Sequence, residues 1–304
     1  MSQLDAVTDS LFHEALGRLE SVWSPLPDKP EETLELTARA LWFAAAGEPR
    51  SVVKCRDDEL PILDGAGAEH LWKLLALRAE GKPLAHLTGR QHFAGLEMLC
   101  GPEALIPRRE TELLARTAIE ILDGAAVEQK GALAIDVCTG SGNVALALAA
   151  SNPQVTVLGA DISSDALALA VRNADHLGLA SRVSFVASNL FDAIDAAQLH
   201  RKAAVVTCNP PYIASAKVST MAAEISHHEP RLAFDGGAFG LSVISRLLAD
   251  APRFVRPGGS LCFEVGAGNG RFVADRVSRN AAYANVRPVT DEKGALRVLV
   301  ATIV

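Results

Sequence analysis

The chain has 304 residues, 49 % of them apolar, and carries 29 Lys and Arg against 36 Asp and Glu, a formal charge of −7 at pH 7. This composition supports a packed core, excludes a disordered chain, and argues against a surface built to coat nucleic acid or an anionic membrane. The length suggests about two domains, and no apolar run approaches the ~18–20 residues that span a bilayer.

Five cysteines (Cys55, Cys100, Cys138, Cys208, Cys262) stand too far apart for a zinc motif or a disulfide framework. Three of them end or interrupt apolar runs, where a cysteine reads as a small buried apolar residue, and no metal site is expected. Met1–Asp5 shows no basic segment leading into an apolar stretch, so the expected compartment is the cytoplasm.

The acidity is uneven. Residues 1–88 hold 15 Asp and Glu against 9 Lys and Arg, together with Trp23, Trp42 and Trp72, whereas residues 89–304 hold 21 and 20. Two compositions predict two units: a helical domain over 1–88 and an α/β domain over 108–304, joined by a hairpin over 89–107. In the first, Leu11, Ala15, Leu16 and Leu19 fall on one helical face. Leu34, Ala38, Leu41 and Trp42 repeat the pattern after a break at Pro25-Leu26-Pro27. Leu71, Leu74, Leu75 and Arg78 continue it up to the stop at Gly81-Lys82-Pro83. A module of this kind suits partner docking. Gly89–Pro107 alternates around Ala94-Gly95, as a hairpin does.

Beyond Leu113 strands and helices alternate. Strands are expected at Ala132–Val137, Val155–Ala160, Arg182–Ala187, Ala203–Cys208 and Ser260–Val265. Helices are expected at Asn143–Ala150, Ser164–Leu177, Leu241–Val255 and Gly270–Arg279. Two last strands, near Ala284–Val289 and Leu296–Ile303, leave no room for a helix between them and should pair antiparallel. The alternation predicts a mostly parallel sheet covered on both faces.

The turn after the first of these strands reads Asp136-Val137-Cys138-Thr139-Gly140-Ser141-Gly142. Small residues there admit a ligand against the backbone, and the free N–H groups of the next helix favour an anionic group. A dinucleotide fingerprint would want glycines at 138, 140 and 143, of which only Gly140 complies. The looser pattern of S-adenosylmethionine (SAM) enzymes fits Gly140 and Gly142 and fails at Cys138. Asp161, at the end of the second strand, is placed to accept both hydroxyls of a ribose. A helix cap is the alternative, although Ser163 and Ser164 stand better for that.

Asn209-Pro210-Pro211-Tyr212 directly follows the fourth strand. Two prolines make this a rigid loop at the ligand-facing edge of the sheet. The Asn209 side-chain oxygen and the Pro210 carbonyl can hold the two hydrogens of a planar NH2 group, and Tyr212 can stack on it.

The loop and the turn together resemble the signature of SAM-dependent amino-methyltransferases. Further blocks are similar to the polypeptide-release-factor glutamine N5-methyltransferases: Pro83–Gly89, Phe93–Leu96, Leu105–Glu112, Glu229–Gly237 and Glu264-Val265-Gly266. The resemblance implies a class I SAM-methyltransferase fold, a Rossmann-like sheet of seven strands with a small N-terminal helical domain. It implies methylation of the glutamine in the Gly-Gly-Gln loop of peptide chain release factors. By motif, Asp136 and Cys138–Gly142 would cradle the methionine end of SAM, Asp161 the ribose, and Asn189 and Leu190 the adenine. Asn209 would touch cofactor and substrate, Pro210, Pro211 and Tyr212 would complete the glutamine site, and the N-terminal helices would recognise the release factor.

Phe93, Arg108 and Glu110 are further expected substrate contacts, with Glu112 also near the mouth of the pocket; charges solvated at a helix start are the alternative for Arg108, Glu110 and Glu112. His227 and His228 could relay a proton, although paired surface histidines are the commoner case. Cys138 stands where the family has glycine, Asn189 where it usually has Asp, and Leu190 where Trp is common. These departures leave a second reading open, methylation of a small amide, amine or hydroxyl compound by a diverged relative. A third is an adenine N6-methyltransferase, which the acidic first domain disfavours.

Overall fold

The computed structural model describes residues 3–24, 29–129, 131–218, 224, 227–266 and 268–304. The chain divides into two compact units, Met1–Pro102 with Ala222–His228, and Glu103–Met221 with Glu229–Val304.

The first unit contains α1 (Gln3–Glu20), α2 (Leu34–Ala45), α3 (Gly65–Ala79), α4 (Leu84–Thr88) and a hairpin of β1 (Arg90–Phe93) and β2 (Leu96–Leu99). Side chains start two of the helices: Thr33 accepts from the Leu36 N–H and Asp64 from the Gly67 N–H. Each satisfies a backbone donor that the helix cannot. The predicted stripes meet in one core, where Ala15, Leu19, Ala38, Leu41, Trp42, Leu71, Leu74 and Leu75 are buried. Trp42 still pairs its Nε1–H, donating to the Pro61 carbonyl at 2.7 Å. The Pro25-Leu26-Pro27 break lies outside the described residues.

Two boundaries differ from those expected. The hairpin belongs to the first unit and is not a linker, because Glu97 of β2 accepts the Ser51 N–H at 2.5 Å and the Ser51 hydroxyl at 2.6 Å. Glu224, His227 and His228 also join this unit. Glu224 accepts from Lys29 at 2.7 Å and from Arg78 at 3.1 Å, a pairing that sequence separation conceals.

The second unit is a seven-stranded sheet in the order β5-β4-β3-β6-β7-β9-β8. Its strands are β3 (Ala132–Val137), β4 (Val155–Asp161), β5 (Val183–Ala187), β6 (Ala203–Cys208), β7 (Val255–Glu264), β8 (Tyr283–Thr290) and β9 (Leu296–Ile303). Five are parallel, and β9 runs antiparallel to both β7 and β8. The principal helices are α5 (Glu112–Gln129), α6 (Asn143–Ser151), α7 (Ser164–His176), α10 (Ser242–Asp250) and α11 (Gly270–Ser278). Two single turns, α8 (Ala196–Leu199) and α9 (Ser215–Val218), have too little periodicity to be read in sequence.

α10 is shorter than expected because Pro252 enters a 3₁₀ turn at Ala251–Arg253. β7 is longer, pairing Val255 with Ala203 ahead of an irregularity in register. The residues 144–149 of α6 are all buried, which explains a helix without a polar face. No helix among the described residues is long and apolar enough to cross a membrane.

From β3 the chain winds outward to β4 and β5, then returns to add β6 on the other side of β3. The order reverses between β3 and β6, and a ligand crevice opens at such a point beyond the carboxyl ends of the strands. Val137 lies opposite Cys208 in the register, so the loops that start at Cys138 and Asn209 emerge side by side.

Candidate active site

One cavity at this edge is lined by Arg108, Asp136, Cys138, Thr139, Gly140, Ser141, Asp161, Asn189, Leu190, Asn209 and Pro211, among others. Most of the residues singled out in the sequence are thus brought together from five separate loops.

The turn after β3 is held open by carboxylates beneath it. Asp136 is 1 % exposed and accepts from the Thr139 hydroxyl and, across to β6, from the Thr207 hydroxyl, each at 2.6 Å. Burial pushes its carboxyl up to about 6, against the pull of those bonds. Asp161 accepts from the Gly140 N–H at 2.8 Å and from the Ser163 N–H at 2.9 Å, while Ser163 caps α7 through the Ala166 N–H. Asp161 therefore braces the Gly140 turn, a role that sequence reasoning missed. Burial raises its carboxyl as well.

Cys138 has a φ of 58°, the left-handed region where a side chain costs about 1–2 kcal/mol. The backbone there asks for glycine, and the thiol is accommodated against that preference. Gly140 also has a positive φ, and a Cβ on it would meet nothing within 4 Å. The Ser141 hydroxyl, by contrast, is buried without a hydrogen-bond partner among the described residues. An open cradle beside an orphaned polar atom in a cavity wall fits a polar cofactor.

The loop after β6 is fixed through side chains. Asn209 Nδ2 donates to the Thr111 hydroxyl at 3.1 Å, and that hydroxyl donates to Glu264 at 2.7 Å. The Tyr212 hydroxyl donates to the other oxygen of Glu264 at 3.1 Å. Burial is the main influence on Glu264 and raises its carboxyl, while the two hydroxyls and Arg297 oppose it. The same burial, with Glu264 beside it, raises the Tyr212 phenol. Glycines of the next loop press on this backbone: a Cβ on Gly236 would lie 2.4 Å from the Pro211 carbonyl, and one on Gly240 2.1 Å from that of Tyr212.

Glu229 fixes a third wall. Its carboxylate accepts from the Ile106 N–H at 2.8 Å and from Arg108 Nη2 at 2.5 Å. Arg108 lines the cavity, and its Nη1 is buried without a hydrogen-bond partner among the described residues.

Several expected residues stand elsewhere. Phe93 is fully buried within the first unit, so it packs the hairpin and offers no surface to a substrate. Gly142 does not line the cavity; a Cβ there would touch Ala170, Leu146 and Phe185 within 3.2–3.3 Å, so its smallness serves helix packing. Pro210 is buried behind the wall, and Tyr212 points its hydroxyl at Glu264. Glu110 is half-buried and bears electrostatically on Glu264 and Arg297. Glu112 starts α5, the position a helix dipole favours for an acid. His227 and His228 belong to the first unit and are not among the lining residues. Thr111 and Glu264 went unassigned. The available signals were their places in the blocks Leu105–Glu112 and Glu264-Val265-Gly266 and, for Glu264, a lone carboxylate near the end of the apolar strand Ser260–Val265.

A sheet of this order, with its crevice between the ends of β3 and β6, is the Rossmann-like fold of class I methyltransferases. The crystal structure of the hMettl16 catalytic domain in complex with MAT2A 3'UTR hairpin 6 shares it, with a TM-score of 0.54 at 16 % identity over 75 % of this chain and 81 % of that one. A family model, the methyltransferase small domain, matches residues 117–241. Among curated relatives, release factor glutamine methyltransferase of Gloeobacter violaceus is 37 % identical over 73 % of this chain and 74 % of its own. That of Moorella thermoacetica is 35 % identical over 86 % of this chain and 87 % of its own. The chain belongs to the release factor glutamine methyltransferase family.

Proposed function

We propose that the protein methylates the side-chain nitrogen of the glutamine in the Gly-Gly-Gln loop of peptide chain release factors, with SAM as donor, in the cytoplasm. The observation that carries the reading is the common cavity: Asn209 and Pro211 line the same space as Cys138, Gly140 and Ser141. The relatives' names supply the substrate.

Bound SAM supplies an electrophilic methyl group. Cys138–Ser141 and the Ser141 hydroxyl would hold its methionine end, Asp161 its ribose, and Asn189 and Leu190 its adenine. An amide nitrogen is a weak nucleophile because its lone pair is delocalised, so alignment within ~3–3.5 Å of the methyl carbon is the main catalytic demand. The Asn209 side-chain oxygen would accept an N–H of the acceptor amide and aim its lone pair, and Pro210, buried behind the wall, would keep this loop rigid. Arg108 Nη1, without a partner among the described residues, suits the carbonyl oxygen of the same amide, where charge would build up as the nitrogen loses its proton to solvent. Glu229 keeps the guanidinium in place.

The acidity of residues 1–88 gives the helical unit the role of docking a partner with exposed positive charge. Mass spectrometry of release factor incubated with enzyme and SAM tests the whole reading. One added methyl group on the glutamine of the Gly-Gly-Gln loop is expected, and an unmodified loop overturns it.

A further inference from the structure

We infer that Thr111 and Glu264 are positioning residues that dictate which end of the Asn209 amide faces the acceptor. The inference rests on the amide-methylation reading above. An asparagine side chain can present either its NH2 or its oxygen after a half-turn, and the two ends are nearly equal in size. Only the oxygen end can hold the N–H of an acceptor amide. Something must therefore select it.

The selection follows from counting protons along the chain of contacts. Glu264 as a carboxylate is only an acceptor, and its two oxygens face the hydroxyls of Thr111, at 2.7 Å, and Tyr212, at 3.1 Å. Thr111 owns a single hydroxyl proton and gives it to Glu264, which leaves its oxygen only lone pairs for its other neighbour. That neighbour is Asn209, which must then turn its NH2 toward Thr111, at 3.1 Å. Its oxygen is left without a protein partner among the described residues, at the wall of the cavity.

Glu264 is 3 % exposed and Thr111 1 %, so water does not compete for these bonds. The carboxylate sets the direction of every bond in the chain, and it does so from the end of β7 without touching the substrate. Tyr212 is held by the same carboxylate, which couples the two ends of the Asn209–Tyr212 loop.

Thr111→Val keeps the shape of the side chain and removes the hydroxyl, whereas Thr111→Ser keeps the hydroxyl. Glu264→Gln can turn an NH2 toward Thr111 and so reverse the chain. With methyl transfer to release factor as the readout, Thr111→Val and Glu264→Gln should lower kcat about tenfold to a hundredfold, with the SAM affinity by calorimetry changed less than about threefold. Thr111→Ser should stay within about threefold of wild type.

Wild-type kcat in Thr111→Val overturns the inference. So does an equal loss in Thr111→Ser, which would assign the effect to packing. The side-chain amide resonances of Asn209 give a second readout that needs no turnover. They should shift in Thr111→Val and hold in Thr111→Ser, and unmoved resonances in both overturn the inference. An inactive wild type with these shifts present would strike the methylation reading and leave the positioning intact.

Discussion

Two neighbouring loops leave the sheet side by side at Cys138 and at Asn209, and they are stiffened in opposite ways. The first is made of small residues, with positive φ at Cys138, Gly140 and Gly142, and offers open space along a backbone whose Gly140 N–H is held by Asp161. The second is made of two prolines, an amide and a phenol, and offers side-chain atoms whose directions are set by hydroxyls and a carboxylate. Each rests on buried acid: Asp136 and Asp161 under the first, Glu264 under the second. A cofactor with a fixed shape is met by backbone, which varies little. An acceptor amide has to be told which end is which, and only polar side chains carry that information.

Replacing Asn209 cuts the comparison most deeply. Asn209→Ala should lower kcat for methyl transfer about 100- to 1,000-fold, the range for losing one preorganised polar contact in a transition state. SAM affinity should change far less, and radiolabel transfer beside calorimetry separates the two.

Gly240→Ala drives a Cβ to 2.1 Å from the Tyr212 carbonyl at a φ of +68°. Overpacking against backbone should cost about 1–3 kcal/mol of stability, visible in urea unfolding, together with about a tenfold loss of kcat as the acceptor loop shifts.

Asp136 gives a pH test. Its carboxyl rises from an ordinary 3.8 to about 6 on folding, so the folded state binds the proton more tightly than the unfolded one. The stability it contributes is complete below about pH 4 and is lost as pH rises through about 6. Between those limits, wild type should lose about 2 kcal/mol relative to Asp136→Asn. Unfolding midpoints of the two proteins at pH 4, 5, 6 and 7 check this, and parallel curves refute it.

The smallest effect belongs to Gly140→Ala, where a Cβ would meet nothing within 4 Å. Only the left-handed backbone is strained, at about 1 kcal/mol, so unfolding should move slightly, while the added methyl in the proposed methionine cradle should weaken SAM binding and leave kcat at saturating SAM little changed. A loss as large as that of Gly240→Ala would erase the distinction between the two loops.

The parts that were legible share a physical cause. β3 and β6 match their expected bounds residue for residue, because strands in the middle of a parallel sheet are buried on both faces and read as nearly continuous apolar runs. The loops that follow such strands are marked by glycine and proline, whose backbone demands are local. Thr111 was legible only as part of a block, and Glu264 only as part of another and as an acid near a strand end, since neither carries a local rule. Phe93 was misplaced for the same reason: an aromatic in a hairpin looks alike whether it faces a substrate or a core.

By itself the sequence determined the order of the main strands and helices and the positions of the two ligand loops, which rest on short-range periodicity and turn chemistry, and the family resemblance, which rests on its motif blocks. Tertiary structure alone decided that Glu97 and Glu224 bind their segments into the helical unit, that Asp161 braces the Gly140 turn, and that Thr111 meets Glu264 across 153 positions. Those are contacts between side chains distant in the chain. Burial gives them their strength and their direction, and burial is a property of the folded molecule.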